Sequence, residues 1–182
     1  CYLDESSDAD IEEEIPDYPV NLFISRGGYF KKITPQSLRM SGEHKLKDGD
    51  IMDASFEATN RTELLFFTDK CQVYKSRASD FSETKASAMG EYIPVKLGFD
   101  PDENVISMIP TTDYSGFMFL VFENGKAAKV PLSVFLTKTN RKKLTKAFSD
   151  KSRLVRIFFI ADNADIMLTS TKVRLCSTPP LF

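Results

Sequence analysis

The sequence predicts an all-β fold, a propeller-like ring of blades with about four strands each, and three observations carry that prediction. The stretch NLFISRGGYFKKITPQSL, from Asn21 to Leu38, returns in degenerate form three more times. Gly28 can be set against Cys71, Gly125 and Lys172 without gaps. The residue four before the turn is then Ile24, Phe67, Val121 and Leu168, and the residue four after it is Lys32, Lys75, Lys129 and Cys176. The closing apolar residue is Leu38, Phe81, Phe135 and Phe182. Secondly, each unit is an apolar run of strand length, a tight polar turn and a short second strand, which is hairpin patterning. Thirdly, self-similarity at roughly 40 to 50 residues marks an array in which one repeat cannot bury its own apolar face. Function is therefore expected on the surface of the array, where the same lysine recurs.

The elements follow in order. Residues Cys1 to Pro19 are polar and acidic, with Pro16 and Pro19 breaking any helix, and read as a linker with too little apolar surface to fold alone. The start at Cys1 without a methionine is read as the start of a fragment. Val20 to Ile33 predicts two strands about Arg26-Gly27-Gly28, because a Gly-Gly pair adopts the positive backbone angles of a hairpin turn. Arg39 to Gly49 is a polar connection. Ile51 to Phe56 alternates as a strand and is expected to lead into the second hairpin, Leu64 to Phe67 turned by Asp69-Lys70 into Val73 to Lys75. After Phe81 a loop with Gly90 precedes a strand expected near Ile93 to Leu97, and Asp100-Pro101-Asp102 marks a turn. Val105 to Ile109 leads into the third hairpin, FMFLVFENGKAAKV, whose Asn124-Gly125 is the strongest hairpin signal in the chain. Thr137 to Lys146 is the most basic segment. The spacing of Leu144 and Phe148 allows a short helix, but a loop and strand match the other units. Leu154 to Ile160 leads into a fourth, irregular hairpin opened by Ile166 to Leu168. On this reading the first unit lacks a lead-in strand and would borrow one from elsewhere in the chain.

Composition narrows the function. The longest apolar run, Phe117 to Phe122, is too short to span a bilayer, and the N-terminus has no signal-peptide pattern, so a cytoplasmic protein with no membrane partner is expected. Cys1, Cys71 and Cys176 lie in no pairing or metal-ligand spacing, and His44 is the only histidine. Cys71 and Cys176 read as small apolar fillers, no metal site is expected, and no constellation of nucleophile, base and acid can be assembled. The net charge of -2 hides an asymmetry. Residues 1 to 19 hold eight acids and no base, which leaves all 24 Lys and Arg against 18 acids from Val20 onward, a net of +6. An acidic leader before a basic body points towards a polyanionic partner.

The hairpin sequences VNLFISRGGYFKKITPQSL, LLFFTDKCQVYKSRASDF and FLVFENGKAAKVPLSVF, with the MGEYIPVKL loop, resemble the C-terminal domain of the A subunit of bacterial type IIA topoisomerases, DNA gyrase and topoisomerase IV. The likeness runs from Ile11 onward, and IEEEIPDYPV resembles the join between that family's cleavage core and its C-terminal domain. The resemblance implies a β-pinwheel spanning residues 20–182 behind a linker, 1–19. It implies that duplex DNA is bound on an outer rim, bent or wrapped, and steered to the cleavage gate. It also implies that the fragment is no enzyme by itself. Catalytic tyrosine, Mg and ATP would belong to other parts of the enzyme, and the domain would need no cofactor and no small-molecule substrate. Its partners would be DNA, the rest of the A subunit and the ATPase B subunit.

Two departures are legible. Gyrases carry a basic glycine-rich heptapeptide, Q-R-R-G-G-K-G, after the first hairpin; here that place reads LRMSGEHKLKDGD, with Glu43 in its middle. This favours a topoisomerase IV-like role or a gyrase with weaker wrapping. The family has five or six blades where four units are legible, so the chain is read as truncated at its C-terminal end, or as a small or open ring. The candidate DNA contacts are Arg26, Lys31, Lys32, Lys45, Lys47, Lys70, Lys75, Arg77, Lys126, Lys129, Lys138, Arg141, Lys142, Lys143 and Lys146, since cations at one place on successive blades would track a phosphate backbone. Tyr29, Phe30 and Tyr74 are expected in the core, and Gly27-Gly28 is a turn, since no phosphate-loop pattern follows it. Glu12 to Glu14 are read as possible competitors of DNA for the rim. The alternative function is a propeller-like protein-interaction module, which would show an apolar or acidic groove in place of basic residues.

Overall fold

A computed structural model of the chain describes residues 15–40, 43–137, 142–148 and 151–160. The leader segment 1–14, Lys138, Arg141 and the fourth hairpin with Cys176 lie outside the described residues. Three hairpins form where the sequence predicts them: β1 (Pro19–Ser25) with β2 (Tyr29–Ile33), β4 (Glu63–Thr68) with β5 (Val73–Arg77), and β8 (Phe117–Phe122) with β9 (Ala127–Pro131). The gapless alignment of turns holds in three dimensions. Gly28, Cys71 and Gly125 all have positive φ, at 84°, 58° and 76°, and Leu22, Leu65 and Phe119 stand opposite Lys32, Lys75 and Lys129. Glycine meets that backbone demand freely at two of the turns, whereas Cys71 meets it under steric strain.

The remaining strands are β3 (Met52–Thr59), β6 (Glu91–Tyr92), β7 (Val105–Thr111), β10 (Lys143–Leu144) and β11 (Leu154–Ile160). They correct the expected assignment of strands to blades. The strand ahead of each hairpin belongs to the preceding sheet: β3 pairs with β1, β7 with β4 and β11 with β8. Both edges of β4 are taken, by β5 and β7, so β3 cannot join it. The first hairpin therefore lacks no strand, because its third strand follows it. A second exchange runs the other way. β6 lies between β5 and β7 in sequence but pairs with β2, and β10 lies between β9 and β11 but pairs with β5. The described sheets are β3-β1-β2-β6, β10-β5-β4-β7 and β11-β8-β9.

Two short helices, α1 (Pro35–Met40) and α2 (Ile93–Lys96), replace extended chain. The strand expected at Ile93 to Leu97 is a helical turn, because Pro94 has no N–H for a ladder and fits the first turn of a helix. The segment Lys143–Leu144 is strand, as preferred over a helix. The core lies between blades. Leu64 and Phe66 of β4 face a cluster with Leu22, Ile24 and Phe30, while Leu65 and Phe67 face another with Met118, Leu120 and Phe135. Side chains alternate across a sheet, so a middle blade covered on both faces requires the unbroken run LLFF.

The recurring lysine is part of this packing. Lys32 is 3% exposed, and its Nζ donates to Asn60 Oδ1 and to the carbonyl of Ala78, both at 3.0 Å, in the second repeat. Lys75 Nζ donates to Thr137 Oγ1 at 3.1 Å and to the carbonyl of Phe135 at 3.4 Å, in the third. Each lysine thus fastens its own blade to the next. Asn60 extends the fastening to the segment before β1, donating from Nδ2 to the carbonyl of Pro16, while Tyr18 donates to Glu83 at 2.6 Å.

A second repeated device secures the turns. Arg26, Asp69 and Glu123 donate their amides to the carbonyls of Ile51, Asn104 and Arg153. The preceding residue supplies a side chain to each turn: Asp50 accepts from Ser25 Oγ and Gly27 N, Glu103 from Thr68 Oγ1, and Ser152 Oγ from Asn124 N. Burial alone would raise the pKa of Asp50, but hydrogen bonds from Ser25, Gly27 and Ile51, with the charge of Lys47, outweigh it and hold the carboxyl below its ordinary value.

Lys32→Met removes the ammonium donor from Asn60 Oδ1 and from the carbonyl of Ala78, which keeps the amide of Phe81 at 3.3 Å. It is expected to lower the unfolding free energy by about 1–3 kcal/mol in urea titrations, and unchanged stability would exclude the fastening role. Because the folded chain holds Asp50 ionised where the unfolded chain takes up a proton, its contribution is present above the usual carboxylate pKa and is lost as pH falls through the folded-state value. Asp50→Asn is therefore expected to be less stable than the parent at pH 7, and to lose less stability than the parent between about pH 5 and pH 2, as thermal unfolding followed across pH would show.

Candidate nucleic-acid interface

Pairing of β10 with β5 carries the basic segment 142–148 onto the edge of the second blade. The amide of Lys75 donates to the carbonyl of Lys142 at 2.7 Å, and the amide of Ala147 to the carbonyl of Cys71 at 2.9 Å. This brings Lys142, Lys143 and Lys146 beside the second turn, which carries Lys70. Lys142, Lys146 and Lys70 are exposed, and Lys70 donates to the carbonyl of Pro101. Lys143 is half-buried. Its Nζ lies 2.9 and 3.0 Å from the oxygens of Asp100 and 5.3 Å from the ring centroid of Tyr74. The hydrogen bond to Asp100, followed by Tyr74, pushes the Lys143 pKa up, while Gln72 and Lys143 hold Asp100 down. Beneath them Glu103, 4% exposed, accepts from Tyr74 OH and from the amide of Asp100, both at 2.9 Å. Burial, with the Glu103 hydrogen bond, raises the Tyr74 pKa against the opposing effect of Lys143.

The other predicted contacts are dispersed. Lys31 and Lys32 are corrected: at 2% and 3% exposure they cannot reach a ligand outside, because their side chains run inward to backbone carbonyls. Lys75 is half-buried, with Nζ 5.0 Å from the Tyr114 ring as well as on Phe135 and Thr137. Lys45 and Lys47 are exposed on the connection after α1. The side chain of Arg26, 62% exposed at the first turn, lies 3.9 Å from Asp53, which Arg156 of the third blade approaches equally closely. Arg26 and Lys47 share with Tyr29 and Tyr92 a cavity of about 420 Å³. Arg77 is exposed where β5 ends. Lys126 is exposed at the third turn, and Lys129, also exposed, holds Nζ 4.4 Å from the Phe117 ring.

Phe30 and Tyr74 are buried, as their strand positions predict, and Tyr29 packs on Tyr92. Two kinds of basic residue escaped the sequence reading. Lys85 is exposed beside Ala86, which accepts from the amide of Lys45. Its signal is its place in the connection after the second hairpin, the counterpart of the basic connection after the third. Arg153 and Arg156 line a second cavity, of about 970 Å³, where β3, β7 and β11 converge, and no signal in a single strand reveals that convergence.

No protein-family model matches the chain. The DNA gyrase A subunit of Streptomyces coelicolor is 31% identical over 134 residues, which is 69% of this chain but only 16% of that subunit. A crystal structure of the C-terminal domain of DNA topoisomerase IV superposes with a TM-score of 0.70 at 23% identity, covering 81% of this chain and 47% of that one. The C-terminal domain of Escherichia coli ParC superposes with a TM-score of 0.61 at 17% identity, covering 82% of this chain and 59% of that one. Hairpin repeats, exchanged strands and shared sequence together assign this chain to the family of β-pinwheel C-terminal domains of type IIA topoisomerase A subunits, the family of DNA gyrase and topoisomerase IV.

Proposed function

We propose that the chain is a non-catalytic module that binds duplex DNA on its blade edges, bends or wraps it, and presents it to the cleavage gate of a type IIA topoisomerase. The observation that carries this reading is the cluster of exposed ammonium groups of Lys70, Lys142 and Lys146 at the edge of the second blade. Lys143 stands with them but shares its charge with Asp100. Such groups suit phosphates, which supply affinity without sequence information. Bending 20 to 30 base pairs by 40 to 90° costs on the order of 1–6 kcal/mol, so exposed cations on more than one blade have to act together. Lys45, Lys47 and Lys85 in the first repeats and Lys126 in the third are the further contributors.

In this reading the bond chemistry, with its Mg and ATP, belongs to the remainder of a bacterial cytoplasmic enzyme made of this A subunit and an ATPase B subunit. Glu43, in the connection where gyrases carry their basic glycine-rich heptapeptide, favours a topoisomerase IV-like role or weaker wrapping over strong wrapping.

The parent chain is expected to bind linear duplexes of unrelated sequence alike, and to lose roughly 10³- to 10⁵-fold in affinity between 50 and 200 mM salt if six to ten phosphates are contacted. Lys142→Glu combined with Lys146→Glu is expected to weaken binding on every duplex and to reduce the slope of log affinity against log salt by about 2 in fluorescence anisotropy. Unchanged affinity and slope in that variant would exclude the second-blade edge as the interface.

A further inference from the structure

We infer that Lys31 is a positioning residue for a phosphate-contacting loop: its buried ammonium holds the main chain of residues 43–50, and Lys45 and Lys47 reach DNA only while it does. The inference rests on the DNA-binding reading above.

Lys31 Nζ donates to the carbonyl of Lys45 at 2.6 Å and to the carbonyl of Ala86 at 2.9 Å. One side chain thus ties together two connections, 43–50 and 82–90, which a hydrogen bond from the Lys45 amide to the Ala86 carbonyl also joins, at 2.9 Å. The loop has no strand ladder of its own. Its other anchors are the His44 ring, 4.5 Å from that of Phe23, and, at the far end, the carboxylate of Asp50, which accepts from Ser25 Oγ and from the amide of Gly27. Between these anchors the side chains of Lys45 and Lys47 are exposed.

The repeat does not explain this lysine. The equivalent residues of the second and third hairpins are Tyr74 and Ala128, whereas the recurring lysine is the next residue in all three. Packing does not explain it either, since an apolar side chain of similar length would fill the site without burying a charge. The two carbonyls do explain it, because burial of an ammonium is tolerated where its protons find acceptors. Space is also kept for it: a Cβ at Gly90 would lie 2.8 Å from Lys31 Cγ and 2.4 Å from the carbonyl oxygen of Phe30. Lys31 therefore acts through the loop that it holds and not by touching the ligand.

The test is Lys31→Met, with fold checked by circular dichroism and binding to a linear duplex read by anisotropy across salt. The salt slope is expected to shrink by about 2, the same change expected of Lys45→Glu with Lys47→Glu. Added to that double variant, Lys31→Met is expected to change nothing further, whereas its effect adds to that of Lys142→Glu with Lys146→Glu. Hydrogen exchange at the Lys45 amide is expected to quicken in Lys31→Met without any DNA present. Wild-type affinity in Lys31→Met, or an equal further loss in the Lys45/Lys47 background, would overturn the inference. Failure of the parent chain to bind duplex would overturn the DNA reading itself, while the exchange result still reports on the tether. Should the methionine variant not fold, Lys31→Gln is put through the same measurements with the same two outcomes.

Discussion

An ammonium buried between two sheets must place its protons on neighbouring oxygens, because nothing in an apolar seam replaces water for it. Lys32 does so on Asn60 and Ala78, and Lys75 on Thr137 and Phe135. Donor and acceptors lie on successive blades, so neither blade can slide without stranding a charge. The demand is stricter than apolar contact, which tolerates a shift of register between facing sheets. Asn60 takes part twice, accepting from Lys32 and donating to the Pro16 carbonyl, so the seam also fixes how the chain approaches β1. Burial pushes the Lys32 pKa down, and Glu83, Glu91 and Asp80 oppose the fall.

The strand exchange works on the same seam. β6 and β10 leave one blade to complete its predecessor, and the chain then returns through β7 and β11. No described blade is therefore assembled from one contiguous segment, and the middle blade has its two faces closed by different neighbours. The run LLFF in β4 records this double burial, while β1, covered chiefly on one face, alternates.

The crossing connections carry a second burden. Lys85 lies in the one that supplies β6, and Lys142, Lys143 and Lys146 in the one that supplies β10. The segments that interlock the blades thus also hold exposed positive charge, whereas both lysines of β2 are spent inside and Lys75 of β5 is spent on the third repeat. Acidic groups temper the exposed charge locally: Asp100 takes up Lys143, and Asp53 lies within 3.9 Å of Arg26 and Arg156. What remains for a polyanion is set by these pairings more than by the total of lysines.

The sequence by itself determined the three hairpins, their turns and the family. These depend on local patterning: apolar alternation, a glycine at positive φ in the Gly27-Gly28 and Asn124-Gly125 turns, and a lysine four residues past each turn. It also located the crossing connection around Lys142 to Lys146, through its density of charge. Only the tertiary structure decided to which sheet β3, β7 and β11 belong, since a strand's partner is fixed by which edges stand open and not by its neighbours in sequence. It alone decided that Lys31 and Lys32 face inward. A lysine's long apolar stem lets its charge lie in water or inside, and the choice falls to distant carbonyls, those of Lys45, Ala86 and Ala78, that no local pattern brings near. The recurrence of the lysine was legible, and its purpose was not, because a repeated contact with the next blade and a repeated contact with a ligand leave the same mark on a sequence.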